Sequence, residues 1–362
     1  MKEIEKKTHF YWLDLVRCLA ALIVVLTHHR IVFFVEYGSL PSEDQNLFSF
    51  IFYFITRLGH VAVLIFFVLS GFLVGGKGIQ RIKEGTFDLK SYTIDRAVRI
   101  MLPLISALVL VFISNLITGV DNNILIFVGN FFSLQGILVK SVSEPFWSLS
   151  YEVWFYIGMG AVALWFISKN NKQKIISLII IFVCFIIFGI YLKASYLFVW
   201  MLAALFYFNV KRNNIILTSS ILLLIVSIVV FQISVGSRTT EYAGSLNSVF
   251  LNENVIELFI ALFACIMIQQ IIQIKPSKKI SILINKFATN FAKFSYTLYL
   301  THMPILRMLE YFGFPKSERF NATSIGYYCL SLAISILGAY LLYLLFEKQT
   351  SRVKQMIKKQ TT

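Results

Sequence analysis

The chain has 362 residues, of which 58% are hydrophobic and only 14% charged, with 35 Phe and a net charge of +15. Continuously apolar runs of about 18 or more residues recur along it, the length that crosses a roughly 30 Å hydrocarbon core as a helix, and they exclude a soluble domain. An outer-membrane barrel is excluded too, because its strands alternate apolar and polar residues.

In chain order the runs predict ten spans, at 12–35, 50–75, 100–118, 146–168, 175–192, 195–210, 215–234, 255–274, 291–311 and 324–346. The stretch 195–210 is short for a crossing and implies distortion or a misplaced edge. The run 124–139 is read as part of an outer loop, 119–145, carrying a re-entrant or interfacial piece. If it crossed, the basic stretch KNNKQK at 169–174 would move outside, against the positive-inside rule. The fold class is therefore an all-α polytopic membrane protein with about ten transmembrane helices.

Ten spans put both termini in the cytoplasm. The inner loops 76–99, 169–174, 211–214 and 275–290 all carry Lys or Arg, whereas the outer loop 36–49 has Glu36, Glu43 and Asp44 and no Lys or Arg. Most of the 33 Lys and Arg lie in the tails and inner loops; Lys140, Lys193, Arg238, Lys316 and Arg319 fall in outer loops, and Arg17, Arg30, Arg57, Lys293 and Arg307 within spans. The basicity thus reports topology rather than nucleic acid. The whole chain, 1–362, reads as one membrane domain with short basic cytoplasmic tails at 1–10 and 348–362. Its start, MKEIEKKTHFYW, leads into the first span without a cleavage site and reads as a retained helix. Cys18, Cys184, Cys265 and Cys329 fall inside spans with no metal-ligand spacing, as small buried hydrophobes do, and no metal is expected.

Ionisable groups are expensive in hydrocarbon and mark functional sites by default. Arg17 and His28 stand eleven residues apart on the first span. At about 100° per residue they come within roughly 20° of three full turns, on one face and about 16 Å apart. Arg17 falls near the inner end and His28 toward the outer face. Histidine is the usual general base near neutral pH; the plainer reading is an imidazole snorkelling at the interface. Asp14, one turn before Arg17, offers it a purely structural partner. Glu152 sits in FWSLSYEVWFY (146–156), at about the depth of His28, where a carboxylate can orient an imidazole; the plainer reading is an interfacial carboxylate among the aromatics Trp147, Tyr151 and Trp154.

Asp95, Arg96 and Arg99 form DRAVR at the inner start of the third span. Guanidiniums three apart on a helix suit phosphate groups, and they also suit ordinary positive-inside charge. His302 lies mid-span in SYTLYLTHMPI (295–305), either in a polar pocket wall with Tyr296 or as a hydrogen-bonded structural histidine. Trp147, Ser148, Tyr296 and His302 are the candidates for contacting substrate. His29 points about 100° away from His28 and, like His60, is a weaker candidate. Gly71, Gly75 and Gly76 read as packing residues, since no strand precedes them to make a nucleotide fingerprint.

Five segments in this order, YWLDLVRCLAALIVVLTH (11–28), FFVLSGFLV (66–74), DRAVRIMLP (95–103), FWSLSYEVWFY (146–156) and SYTLYLTHMPI (295–305), with a last span ending in FEK (346–348), resemble the acyltransferase 3 family of integral membrane enzymes. The resemblance covers essentially the whole chain. It implies transfer of an acyl group, most often acetyl, from cytoplasmic acyl-CoA to a hydroxyl of an extracytoplasmic or lipid-linked carbohydrate. It implies no bound cofactor and a multi-pass protein of a bacterial plasma membrane, with acyl-CoA, a carbohydrate acceptor and the bilayer as partners. Residue by residue, it makes His28 the catalytic histidine and Arg17 its essential partner. It places Arg96 and Arg99 near the phosphates of CoA and Glu152 in the polar core of the site. Some members carry a hydrolase-like domain after the last span; this chain ends in SRVKQMIKKQTT and resembles the stand-alone form.

The rival reading is a transporter or flippase for a glycan precursor or small anion, with intramembrane His, Arg and Glu as a relay or gate. The sequence offers no paired repeats or matched broken helices in its favour.

Overall fold

The computed structural model describes residues 10–208, 210–237 and 252–360. Arg238 and the basic stretch 1–9 lie outside the described residues. Everything regular in the described residues is helical, with two isolated β-bridges and no strand. Among the described residues eight helices are long and apolar enough to cross a membrane. Two expected spans are shorter: 195–210 is the twelve-residue helix Ala194–Leu205, and 291–311 is Ser295–Tyr311.

The first helix, α1 (Tyr11–Phe33), is a central column. Its small and β-branched residues Ala20, Ala21, Val24 and Val25 are buried, so neighbouring helices approach closely around its circumference. The second span is broken: α2 (Leu47–Thr56) stops at Arg57, α3 (Gly59–Ser70) restarts, and a π-helical stretch, Gly71–Gly76, leads into α4 (Lys77–Lys83). Glycines make these approaches possible. A Cβ on Gly59 would lie 2.8 Å from the Thr27 hydroxyl of α1, and one on Gly71 would run into the Trp200 carbonyl oxygen. The packing role expected of Gly71, Gly75 and Gly76 is what the backbone displays, since a Cβ at each would meet Trp200, Ala204 or Tyr207, in or just after the helix Ala194–Leu205. Gly59 is a further close approach of the same kind.

The stretches expected as inner loops are partly helical. Residues 89–99 form the first turns of α5 (Leu89–Thr118), which opens on the side chain of Asp88 as N-cap. Outer-loop residues 124–131 form α6 (Ile124–Phe131), about 12 Å long at 1.5 Å per residue and too short to cross. The chain then turns back to α7 (Trp147–Ile167), as expected of a non-crossing piece. Next come α8 (Asn171–Ile186) with a second π turn, α9 (Ala194–Leu205), α10 (Asn214–Ser237) and α11 (Glu253–Ile271).

The expected inner loop 275–290 is an amphipathic helix, α12 (Lys279–Ala292). It buries Asn285, Ala288 and Phe291 and leaves Ile280, Leu283 and Phe287 exposed beside Lys279 and Lys286, the composition of a helix lying in a membrane interface. The bundle closes with α13 (Ser295–Tyr311), the most buried helix in the region of the site, and α14 (Ala322–Leu345). The tail expected as 348–362 is helical too: α15 (Thr350–Gln360) packs against the start of α5.

Candidate active site

Five elements, α1, α3 with its π-helical extension, α5, α7 and α13, enclose a cavity of about 150 Å³. Its walls carry Arg17, Arg96, Arg99, Ser148, Glu152, Tyr156 and Tyr296, so six of the nine candidate site residues meet in one place from four separate helices. His28, His302 and Trp147 are outside the walls.

The polar groups of the cavity are sorted along its length. At one end, Arg96 lies over the Tyr156 ring at 5.6 Å and Arg99 over Tyr296 at 5.8 Å. Arg17 makes a long ion pair with Asp14, 3.3 Å, whose other oxygen accepts from the Thr289 hydroxyl. Asp14 is thus the partner anticipated for Arg17, yet the guanidinium still forms part of the cavity wall. Among the described residues Arg96 has no carboxylate partner. Asp95 is taken instead by two lysines of α15, Lys354 at 3.4 Å and Lys358 at 3.6 Å. The Tyr296 hydroxyl is buried and among the described residues finds no hydrogen-bond partner, which a polar ligand in the cavity would relieve.

Arg99 is held by a residue not singled out as a site candidate. Glu347, 3% exposed, accepts from Arg99 Nη1 at 2.8 Å, and its second oxygen accepts from the Thr297 hydroxyl at 2.6 Å. The sequence signal was there, a carboxylate directly behind a long apolar run in FEK. Tyr156 was also passed over; its hydroxyl donates to Glu152 Oε1 at 2.5 Å and is within 3.4 Å of Ser70 Oγ.

At the other end, Ser148 and Tyr299 join through a 2.7 Å hydroxyl–hydroxyl hydrogen bond, and Tyr299 lies against His302 with ring centroids 6.3 Å apart. One helical turn beyond this wall, His28 Nδ1 sits 2.8 Å from His302 Nε2. The ring planes differ by 27° with centroids 4.9 Å apart, so the two imidazoles meet edge to edge.

Hydrogen-bond accounting fixes the protons of the neutral pair. His302 Nδ1 is 3.1 Å from the Leu298 carbonyl, which can only accept, so this nitrogen carries the hydrogen. His302 Nε2 is then an acceptor, and His28 Nδ1 must donate to it. That leaves His28 Nε2 with an unshared lone pair on a partly exposed ring, the tautomer a base or nucleophile needs.

The orienting group beside His28 is therefore an imidazole and not the expected carboxylate of Glu152. The cause is local: Glu152 turns along its own helix to Tyr156, i to i+4, while α13 brings His302 to α1. Trp147 packs into an aromatic nest with Phe67, Tyr151 and Tyr196. His29 is fully buried and satisfied by the Val25 carbonyl and the Ser335 hydroxyl, a structural histidine. His60 pairs with Glu257 at 2.7 Å, away from the cavity.

A cavity lined with basic groups, next to an imidazole held in its basic tautomer inside an apolar bundle, coincides with a family match: an acyltransferase domain model covers residues 10–344. The chain belongs to the acyltransferase 3 family. It is a multi-pass membrane acyltransferase, and the whole transmembrane bundle, rather than a fragment of it, carries the family's signature. No curated protein and no solved structure matches the chain.

Proposed function

We propose that the protein transfers an acyl group, in the first instance acetyl, from cytoplasmic acyl-CoA to a hydroxyl of an extracytoplasmic or lipid-linked carbohydrate in a bacterial plasma membrane. One arrangement carries the reading. The imidazole of His28, bonded to His302 behind the Tyr299 wall, adjoins one part of a cavity that elsewhere gathers the guanidiniums of Arg17, Arg96 and Arg99. A long donor with phosphates at one end and a thioester at the other suits that polarity. The arginines hold the phosphates by charge-assisted hydrogen bonds, and the acyl end extends toward His28.

In this scheme His28 Nε2 takes the proton of the acceptor hydroxyl as its oxygen attacks the thioester carbonyl. The carbon–sulfur bond then breaks, and the CoA thiolate leaves with the proton returned by His28. His302 positions His28 and stabilises the imidazolium formed in between, because its Nε2 accepts throughout. Arg17 lies about three helical turns from His28 along α1, about 16 Å, and so serves the phosphorylated end of the donor rather than the carbonyl. Ser148 and Tyr296 contact the donor arm, while Trp147 backs the wall through Phe67.

The test uses purified protein in sealed liposomes, with radiolabelled acetyl-CoA on one face and a mixed glycan pool on the other. The expected result is label in the acceptor, lost in His28→Ala. Label retained on the protein itself, and absent from His28→Ala, would make His28 a nucleophile instead of a base. Acceptor flux across the bilayer independent of acyl-CoA would replace the transferase scheme with transport.

A further inference from the structure

The cavity of about 150 Å³ is well below the roughly 300–1,000 Å³ of pockets that enclose drug-sized ligands, so a nucleotide has to remain at its mouth. What stands there is α15. Its face toward the protein carries Lys354 and Lys358, 24% and 43% exposed, which share the single carboxylate of Asp95; Lys358 also donates to the Ser91 hydroxyl at 2.6 Å. Asp95 immediately precedes Arg96, which faces the cavity, and the charges of Arg96 and Arg99 reach Lys354. Among the described residues Arg96, Arg99, Lys354 and Lys358 are thus gathered around the carboxylates of Asp95 and Glu347.

We propose that Lys354 and Lys358, together with Arg96, form a phosphate subsite for the 3′-phosphorylated adenosine diphosphate end of the acyl donor. The inference rests on acyl-CoA being the donor. That end carries a diphosphate and a phosphomonoester, the latter alone about −1.5 to −2 at neutral pH, which matches the cluster of cationic side chains there. Lysine ammoniums on flexible stems suit point-charge contacts to phosphates, while Arg96 and Arg99 supply the fixed forks deeper in. Asp95 then acts as a placeholder: it keeps the two lysines extended over the mouth and gives them up to the incoming phosphates.

Binding of 3′-phosphoadenosine 5′-diphosphate to the purified full-length protein in detergent is the measurement. The wild type binds it, and the double variant Lys354→Gln/Lys358→Gln binds about tenfold or more weakly. Asp95→Asn binds as tightly as wild type or more tightly, because the competing charge is gone while the side chain keeps its shape. A purely structural Asp95–lysine clasp predicts the opposite: Asp95→Asn loosens α15 and weakens whatever binds there. Absence of binding by the wild type, unchanged affinity in the double variant, or equal weakening by Asp95→Asn each overturns the subsite. If the nucleotide binds through the lysines while the protein transfers acetyl from no CoA thioester, the transfer scheme fails and the subsite stands.

Discussion

His302 grips His28 through a single 2.8 Å hydrogen bond between rings on two different helices, and the proton in that bond belongs to His28. The bond does for this imidazole what a buried carboxylate does in a triad, without adding a negative charge to the bundle. A neutral orienter costs less to bury than a carboxylate, and it selects the same tautomer.

Removing it should therefore act on turnover. His302→Ala is expected to lower kcat by about 10²–10⁴-fold with little change in the donor KM, the range over which orientation and tautomer control act. His302→Gln places an acceptor near the lost Nε2 and should recover part of the loss. Steady-state kinetics in proteoliposomes checks both, with thermal unfolding to show that each variant is folded. A fall confined to KM would move His302 back among the residues that contact substrate.

Glu347 is the second positioning residue. Cutting one partner from a buried ion pair costs about 3–5 kcal/mol. Arg99, however, is 36% exposed, and solvent screening brings the expected loss in Glu347→Gln to about 1–3 kcal/mol. The substitution keeps an acceptor for Thr297 and removes the charge that fixes Arg99. We expect a lower Tm and a donor KM raised several-fold, with the acceptor KM unmoved. An unchanged donor KM would separate Arg99 from donor binding.

The bundle was legible wherever hydropathy and helix coincide. Span 324–346 is α14 at Ala322–Leu345, and 12–35 is α1 at Tyr11–Phe33. It was illegible where a helix outlasts the apolar run. The stretches around Lys90 and Lys279 look like loops in sequence yet are helical, because charge marks the edge of hydrocarbon and says nothing about where backbone hydrogen bonding stops. The site followed the same division. Arg17 with His28, and Arg96 with Arg99, could be aligned by counting turns on one helix. The His28–His302 bond and the Arg99–Glu347 pair join residues 274 and 248 positions apart, and only tertiary packing creates them. Glu152 illustrates the cost: depth placed it with His28, but depth gives no azimuth, and its hydrogen bond goes to Tyr156.

Gly71 tests whether the π-helical stretch is a packing device. Its missing Cβ is what lets the backbone of α9 pass, with the Trp200 carbonyl oxygen against it and Ala203 Cβ 2.9 Å from where a side chain would begin. Trp200 in turn donates from Nε1 to the Ser70 hydroxyl at 3.1 Å, and Ser70 touches Tyr156 in the cavity wall. Gly71→Ala should destabilise by about 1–3 kcal/mol through overpacking. Because the displaced Trp200 reaches Glu152 through three hydrogen bonds, by way of Ser70 and Tyr156, activity should fall as well. Unchanged Tm and activity would mean that α9 can shift freely, contrary to this packing. Both are read on the same detergent-solubilised sample.

Far from the cavity, Asp44 ties the loop after α1 to the loop before α14. Its Oδ2 accepts from Arg319 Nε at 2.7 Å and from the Phe320 backbone N–H at 3.0 Å. The Arg319 hydrogen bond, ahead of that backbone bond and the charge itself, holds the carboxyl below its ordinary value. A depressed folded-state pKa means that the unfolded chain binds more protons over the intervening window. The Asp44 contribution is therefore whole above the ordinary carboxylate pKa of about 3.9 and disappears as pH falls through the folded value. Asp44→Asn should lower Tm at pH 7, and its deficit against wild type should close as the pH is taken below 4. Thermal unfolding in detergent from pH 7 to pH 3 reads the two curves. A gap that widens toward acid would mean that protonated Asp44 is the stabilising form and would reverse the assignment.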